Sequence, residues 1–151
     1  MLTQPDVTGE FLVFRIQDQE FCLEVSSVRE IRSATKTVPL PNAPKDVKGL
    51  INLRGVVLPI LDVTSRLGLT IVSPPVNPVI IVVEFGPSLV GLEVDVVDDI
   101  ISVSEAQMQE IPIVPTGGIQ EFVRGIINIS GRLICVLAIG RIFPAREMAV
   151  E

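Results

Sequence analysis

The sequence predicts an all-β fold, and three observations support that prediction. Apolar residues make up 48% of the 151-residue chain, but it contains six Phe, no Tyr and no Trp. Its core must therefore be built from Val, Ile and Leu, and β-branched residues favour strands. Three proline-rich stretches divide the chain into short apolar segments, namely VPLPNAP at 38–44, SPPVNP at 73–78 and IPIVPTGG at 111–118. Finally, the plan of the first half recurs in the second half.

The first half carries the signals of two β-hairpins and two short helical turns. The predicted elements are a strand over 11–17, a strand over 20–25, a helical turn over 26–29, strands over 49–53 and 56–63, and a short helix over 64–69. Arg54 and Gly55 form the turn of the second hairpin, where Gly55 supplies the positive φ that a tight turn needs. Pro59 lacks an amide donor, which predicts a sheet edge or a bulge at that point.

Two stretches of the first half recur in the second half in the same order. LEVSSVREI at 23–31 matches LEVDVVDDI at 92–100, displaced by 69 positions, and VKGLINLRGVVLPILDV at 47–63 matches VRGIINISGRLICVLAI at 123–139, displaced by 76. An internal duplication of a unit of about 70 residues explains both matches, and chance similarity between β-rich segments is the alternative. Gly131 is then the counterpart of Gly55, and Ser130 is the counterpart of Arg54.

The duplication also predicts the architecture. A unit of this length with about five short strands buries little surface on its own. Closing each unit into a small barrel removes exposed strand edges, and packing two barrels together completes the core. We therefore expect a single domain over residues 10–144, made of two intertwined barrels that span roughly 10–75 and 76–144.

The composition argues against most catalytic and metal-binding functions. The absence of histidine excludes Ser-His-Asp catalysis and histidine-based metal sites. The net charge is −6, with four basic and ten acidic residues over 76–151, so nucleic-acid binding is disfavoured. The carboxylates of DVVDD at 95–99 lack the loop of a calcium site, which favours a solvated acidic surface. A hydrolase with paired carboxylates stays open, although nothing singles out a pair, and we expect no cofactor or metal.

The chain also shows no signal for export or for a membrane span. Its longest uncharged run, residues 67–83, contains three prolines, and the N-terminus lacks a basic region followed by an apolar run. Cys22 and Cys135 lie in apolar stretches and are expected to be reduced core thiols. These features predict a cytoplasmic protein.

Arg54 is the charged residue that the fold explains least. It lies in the middle of an almost entirely apolar stretch, and its counterpart is Ser130, so the turn itself does not require an arginine. One interpretation is a solvated side chain at a hairpin tip. The other is recognition, because a guanidinium binds carboxylates and carbonyls and is enriched at interaction surfaces. Glu30 has the acidic counterpart Asp99, so an acidic residue at this position is common to both copies and does not by itself indicate recognition.

The stretches EFLVF, LEVSSVREI, VKGLINLRGVVLPILDV and LVGLEVDVVDDI resemble the CheW family of bacterial chemotaxis coupling proteins. The order and spacing of these stretches agree from about residue 10 to residue 142. The resemblance implies two five-stranded SH3-like β-barrels packed on a shared hydrophobic core, with a few short helices. It also implies a non-enzymatic adaptor that couples chemoreceptors, the methyl-accepting chemotaxis proteins, to the histidine kinase CheA. Such an adaptor is expected in the cytoplasm, in membrane receptor arrays and without direct membrane insertion.

The resemblance also assigns roles to individual residues. It places receptor binding at Arg54 in NLRG and at Glu30 in VREI, with Val28 and Ile31 beside them. We expect both of these apolar side chains to pack inward, as their matches in the second copy suggest. Contact with the regulatory domain of the kinase is expected near Leu89 and Val90, while Gly55 and Gly131 are structural turn residues.

Three other functions stay open on the sequence. The chain could be a regulatory fragment of a kinase with the same fold, a small β-barrel enzyme or ligand-binding domain, or an adaptor for a different chemosensory output such as surface motility. A deep pocket with convergent polar groups would favour the enzyme, and the sequence shows no such constellation.

Overall fold

Short β-strands joined by tight turns make up most of the computed structural model, which describes residues 7–111 and 121–143. The strands are β1 (Val7–Ile16), β2 (Gln19–Glu24), β3 (Val28–Ser33), β4 (Val47–Leu53), β5 (Val56–Asp62), β6 (Val79–Phe85), β7 (Ser88–Val94), β8 (Val96–Ser104), β9 (Met108–Gln109), β10 (Val123–Ile129) and β11 (Arg132–Leu137). The helices are α1 (Val63–Arg66) and α2 (Ile139–Ile142), and 3-10 turns occupy Val25–Ser27 and Glu105–Gln107. The all-β prediction is confirmed.

The strands form two sheets that exchange hairpins between the two halves of the chain. One sheet has the order β8-β1-β2-β11-β10-β9, so the first hairpin of the chain lies among strands of the second half. The other sheet has the order β3-β6-β7-β5-β4, so the β6-β7 hairpin lies among strands of the first half. We call the barrel that contains β4 and β5 the first barrel and the one that contains β10 and β11 the second barrel. The expected division of the chain near residue 75 stays a prediction.

Strand pairing repeats with the displacement seen in the sequence. In the pairing of β3 with β6, Val28 lies opposite Val83. In the pairing of β8 with β1, Val97 lies opposite Phe14, so both partners are displaced by the same 69 positions. The parallel pairings of β5 with β7 and of β11 with β2 correspond in the same way. The two halves therefore share one plan of pairing as well as similar residues.

The buried apolar residues form three clusters, because alternate residues of each strand face either the interior of a barrel or the other barrel. The interior of the first barrel contains Ile51, Leu53, Leu58, Ile60, Ile80 and Val82. The interior of the second barrel contains Phe11, Val13, Cys22, Val103, Ile127, Ile134 and Val136. The largest cluster, which we call the shared core, lies between the barrels and includes Phe14, Leu23, Leu61, Leu92, Leu137 and Ile142. The barrels are thus packed on a common core, as predicted.

A polar contact on the edge of the shared core links α1 to α2. Arg66 occupies the position that corresponds to Ile142 in the second copy. Its Nε donates a hydrogen bond of 2.7 Å to the carbonyl oxygen of Ile142. Its guanidinium also stacks on the ring of Phe122, 4.8 Å from the ring centre. One side chain of the first half therefore contacts two separate segments of the second half.

At Pro59, β5 is paired on one side only, as the predicted edge requires, and a register shift in its pairing with β4 lies one pair away, between Val47 and Gly49. β5 lies between β4 and β7, and Pro59 is opposite Leu50. The amide and carbonyl of Leu50 are both bonded to Val38, at 2.8 and 2.9 Å. This part of β4 therefore does not require a donor from Pro59, and the parallel pairing with β7 begins one residue later, at Ile60.

Three further details differ from the sequence-based expectation. The first helical turn is a 3-10 turn that starts one residue earlier, and α1 starts at Val63 and is shorter than predicted. One sheet has six strands instead of five, because β9 adds two residues at its end. At the corresponding place in the other sheet, Val38 makes only an isolated bridge to Leu50.

Two parts of the predictions lie outside the described residues. These are all but the first residue of the proline-rich stretch 111–118, and residue 144, the predicted end of the domain. Within residues 7–111 and 121–143, no helix has the length and hydrophobicity that crossing a bilayer requires.

Candidate functional site

The hairpin of β4 and β5 presents Arg54 at its tip. Arg54 and Gly55 both have positive φ, +50° and +87°, as a two-residue turn requires if the strands are to keep their right-handed twist. The side-chain oxygen of Asn52 accepts a hydrogen bond of 2.9 Å from the amide of Gly55 and holds the turn. The second copy repeats this geometry with φ values of +52° and +85° at Ser130 and Gly131. The turn therefore fixes where the side chain of residue 54 begins.

The guanidinium of Arg54 forms an ion pair with Glu30, in which Nη2 donates to Oε1. β3 and β4 are the two edge strands of their sheet, so the ion pair connects the two edges of the sheet that forms the first barrel. The Arg54 side chain is 72% exposed and the Glu30 side chain 27%. The hydrogen bond from Arg54 lowers the pKa of Glu30, and the same bond raises the pKa of Arg54. Both groups therefore remain charged over the physiological range. Most of the arginine side chain faces solvent.

Exposed apolar side chains lie on the same strands as this ion pair. Ile31 is 44% exposed, and Val56 and Val57, which follow the turn, are 48% and 60% exposed. Val28 is half-buried and packs against the shared core. The expectation that Ile31 packs inward is wrong, because the alternation of β3 turns Val28 and Glu30 toward the protein and Ile31 toward solvent. Charge and apolar surface together suit a protein partner better than a small polar substrate.

The corresponding place on the second barrel carries a different arginine. Arg132 lies two residues after Ser130 and donates from Nε to both carboxylate oxygens of Glu20, at 2.9 and 3.0 Å. Asp99, the counterpart of Glu30, is 3.8 Å from the same guanidinium. Ile100 is 55% exposed, like its counterpart on β3. Arg132 was not predicted, because it lies two positions after the counterpart of Arg54; an arginine directly after the turn glycine was the available signal.

Leu89 and Val90, the residues proposed for kinase contact, differ in accessibility. Val90 is 3% exposed and belongs to the shared core, so its side chain offers almost no surface. Leu89 is half-buried and packs beside the interior of the first barrel. A contact in this region would therefore involve Leu89 and the exposed Ser88 before it.

A family profile described as the CheW-like domain matches residues 10–147 of the chain. The chain belongs to the CheW family. Chemotaxis protein CheW of Rhizobium meliloti (strain 1021) is 45% identical to it over 138 residues, which cover 91% of this chain and 89% of the relative. Chemotaxis protein CheW of Klebsiella aerogenes is 32% identical over 144 residues, which cover 95% and 87%.

A solved structure of the CheW family has the same fold. The crystal structure of scaffolding protein TtCheW from Thermoanaerobacter tengcongensis superimposes with a TM-score of 0.83 at 27% identity, covering 93% of this chain and 94% of that one. The prediction of two SH3-like barrels on a common core is thereby confirmed.

The acidic stretch of this CheW-family chain distributes its carboxylates among separate partners. Asp95 accepts a hydrogen bond of 2.7 Å from the amide of Gln17. Asp98 lies 3.1 Å from the guanidinium of Arg15. Among the residues that the structure describes, no group of three or more potential ligands is arranged to hold a metal ion.

The two cysteines are free and face different apolar clusters. Cys22 belongs to the interior of the second barrel, whereas Cys135 packs against the shared core. Burial raises the pKa of the Cys22 thiol to about 12 and also raises the pKa of Cys135. The thiolate forms needed for nucleophilic or metal chemistry are therefore disfavoured.

Proposed function

We propose that this chain is a non-enzymatic adaptor that couples the cytoplasmic tips of chemoreceptors to the histidine kinase CheA. Membership of the CheW family supports a scaffold role in chemotaxis. The observation that carries the assignment of partners is the ion pair of Arg54 with Glu30, which stands at the surface of the first barrel beside exposed apolar side chains. An adaptor of this kind acts in the cytoplasm, at the membrane receptor array.

The receptor surface in this proposal consists of Arg54, Glu30, Val28 and Ile31. Only one nitrogen of the guanidinium is used in the contact with Glu30, so the remaining N–H groups of Arg54 are available to acceptors on a partner. The glutamate orients the arginine before binding, which reduces the entropy that the complex must lose. Exposed Ile31 supplies apolar area next to the charge.

The kinase surface in this proposal lies around Leu89 on β7. This strand belongs to the exchanged hairpin, so it is packed into the first barrel while being connected to strands of the second half. A partner that binds there contacts a part of the fold held by both halves. Val90 supports this surface from the shared core.

Reversal of the charge at Arg54 tests the receptor surface. Arg54→Glu should weaken binding of a receptor signalling-tip fragment by about tenfold or more, because it removes the donors and places a second acid beside Glu30. Binding of the kinase regulatory domain and the melting temperature should stay unchanged, because the pair is exposed. Both affinities would be measured by calorimetric titration with proteins from the same organism.

Lys45→Glu is the matched control. It makes the same change of charge at an exposed position just before β4, at the end of that strand opposite the hairpin tip. Equal loss of receptor binding in both variants would indicate a nonspecific charge effect and would contradict the assigned surface. Failure of the unaltered protein to bind either partner would contradict the adaptor function itself.

A further inference from the structure

The side chain of Gln17 holds the connection between the two halves of the chain. This connection, residues 67–78, joins α1 to β6, and Gln17 lies in the turn between β1 and β2. The Oε1 atom of Gln17 accepts hydrogen bonds from the amides of Val72 and Ser73, at 3.1 and 3.4 Å. Its Nε2 atom donates to the carbonyl oxygen of Ser73 at 3.3 Å. We call these three hydrogen bonds the Gln17 latch.

The backbone of Gln17 has a conformation that suits glycine better than glutamine. Its φ is +57°, in the left-handed region that glycine adopts at the lowest cost. The amide of Gln17 donates a hydrogen bond of 2.7 Å to Asp95, which lies between β7 and β8. The first hairpin is therefore bound to the second half at the place where it also binds the connection, and the side chain of Gln17 is explained by the latch.

The contacts between the two halves do not by themselves decide which halves pair. The pairs β1 with β8, β2 with β11, β3 with β6 and β5 with β7 each join a strand of the first half to a strand of the second. The same pairs form when the two halves belong to different chains. In that arrangement, which we call the reciprocal dimer, the first half of each chain packs with the second half of the other. The course of the connection distinguishes it from the monomer.

The Gln17 latch limits how far the connection can reach. Leu69 and Pro78, near the ends of the connection, make backbone hydrogen bonds of 3.0 Å to residues of the first half. With the latch closed, the segment 74–77 that follows it extends over about 13 Å at most. With the latch open, the segment 70–77 extends over about 26 Å. The latch therefore keeps the connection close to its own molecule.

The residues of the connection favour an open course. Its three prolines, at 74, 75 and 78, fix their own φ and hold the residues before them in extended backbone. Val72 and Val76 are 86% and 89% exposed. In the reciprocal dimer the two connections run side by side between the two units and bury these apolar side chains against each other. The connection thus opposes the latch and supplies contact surface for a second copy of the chain.

We infer that the Gln17 latch keeps the two halves of one chain paired with each other, and that its release produces the reciprocal dimer. The high effective concentration of two halves within one chain also favours the monomer, so the dimer forms at high protein concentration. Each unit of the dimer contains every strand of both barrels. One assembly therefore carries two copies of the Arg54 surface.

Removal of the latch tests this inference. Gln17→Gly deletes the side chain and suits the left-handed backbone, so both barrels should still form. After unfolding in urea and refolding, this variant should form dimer at a protein concentration about tenfold lower than the unaltered protein requires, because the latch no longer opposes the open connection. Light scattering after size-exclusion chromatography measures the fraction of dimer. Gln17→Asn, which tolerates the same backbone but is one methylene shorter, should behave like Gln17→Gly.

Asn42→Gly is the matched control. Asn42 also has a positive φ, +60°, and lies in an exposed turn of the first half, but it takes no part in the latch. This variant should refold like the unaltered protein. Equal dimer formation by Asn42→Gly would contradict the role of the latch, and so would Gln17 variants that stay monomeric wherever the unaltered protein does.

Cleavage of the connection identifies the kind of dimer. A protease site placed between the exposed residues Val76 and Asn77 of the Gln17→Gly protein allows the connection to be cut after the dimer has formed. A reciprocal dimer should then separate into units of monomer size, each held together by its strand pairs. A dimer formed by surface contact would keep its size after cleavage, and that result would overturn the inference.

Discussion

Two glycines of the β4-β5 hairpin are required for different physical reasons. Gly55 has φ of +87° and open space where a Cβ would lie, so a substitution there is strained but not crowded. Gly49 has φ of +153°, and its Cβ would lie 2.4 Å from the carbonyl oxygen of Val38, a backbone atom that cannot move aside cheaply. The first glycine serves a turn, and the second allows a close approach of two chain segments.

The two alanine variants should therefore differ in stability. Gly55→Ala should lower the free energy of unfolding by about 1–2 kcal/mol, the usual penalty for a left-handed conformation. Gly49→Ala should lower it by about 3 kcal/mol, because overpacking against backbone adds to the strain. Urea denaturation of both variants would measure the difference. Equal losses would contradict the close approach of Val38 to Gly49.

Residue positions of the candidate site were predictable only where the signal was local. The glycine of the Arg54 turn and the match between the copies are visible in consecutive letters. The exposure of Ile31 was not, because it depends on which face of β3 meets the shared core. The contact of Arg132 with Glu20 joins residues 112 positions apart, and no local pattern encodes such a pair.

At the scale of elements, two pairings attach the first hairpin to the second half: β1 pairs with β8 along most of its length, and β2 pairs with β11 in a shorter parallel seam. The side chains of Glu20 and Arg132 bridge this seam. Their hydrogen bond lowers the pKa of Glu20 below its ordinary value of 4.5. Because the folded pKa is lower than the unfolded one, the pair stabilises the fold fully above about pH 4.5 and loses that effect as the pH falls through the folded pKa.

Glu20→Gln should remove this contribution. We expect the free energy of unfolding to fall by about 1 kcal/mol at pH 7, since the pair is bidentate but partly exposed. The difference from the unaltered protein should shrink as the pH falls below 4.5, because Glu20 is then protonated in the unfolded chain, and it should be lost once the pH has fallen through the lower folded pKa. Urea denaturation over a pH series measures this. Glu24→Gln is the control, because it alters the more exposed ion pair that Glu24, on the same strand, forms with Arg124. A difference that does not depend on pH would contradict the role of the Glu20 charge.

Individual strands were easier to predict than the pairing of strands within the two sheets. Alternating apolar residues and turn signals predicted four of the five strands of the first half within a few residues, whereas β3 was not predicted. The hydrogen-bond partner of Leu50, the residue opposite Pro59, was not predictable, because Val38 bonds to it from outside the hairpin. Hairpin exchange between halves also depends on long-range pairing, which short-range periodicity does not record.

At the scale of the whole molecule, hairpin exchange makes each half incomplete. The first half supplies β1 and β2 to the sheet of the second barrel, and the second half supplies β6 and β7 to that of the first. The shared core draws on both halves as well. The barrels should therefore unfold in a single cooperative transition.

Separation of the halves tests this directly. Fragments 1–75 and 76–151, divided in the connection between α1 and β6, should each lack a stable native fold. Their equimolar mixture should regain the circular dichroism spectrum of the intact chain, since every strand is then present. A folded, monomeric half would contradict the exchange of hairpins.

Hairpin exchange also has a consequence for the origin of the chain. A gene encoding one copy alone would yield a product that completes its barrel only by trading hairpins with a second molecule, as in a domain-swapped homodimer. The present connectivity is what fusion of two such genes would leave. After fusion the copies no longer had to be identical, and each position became free to diverge. The differences between Arg54 and Ser130, and between Thr64 and Gly140, are changes that a symmetric ancestor could not have made on one side alone.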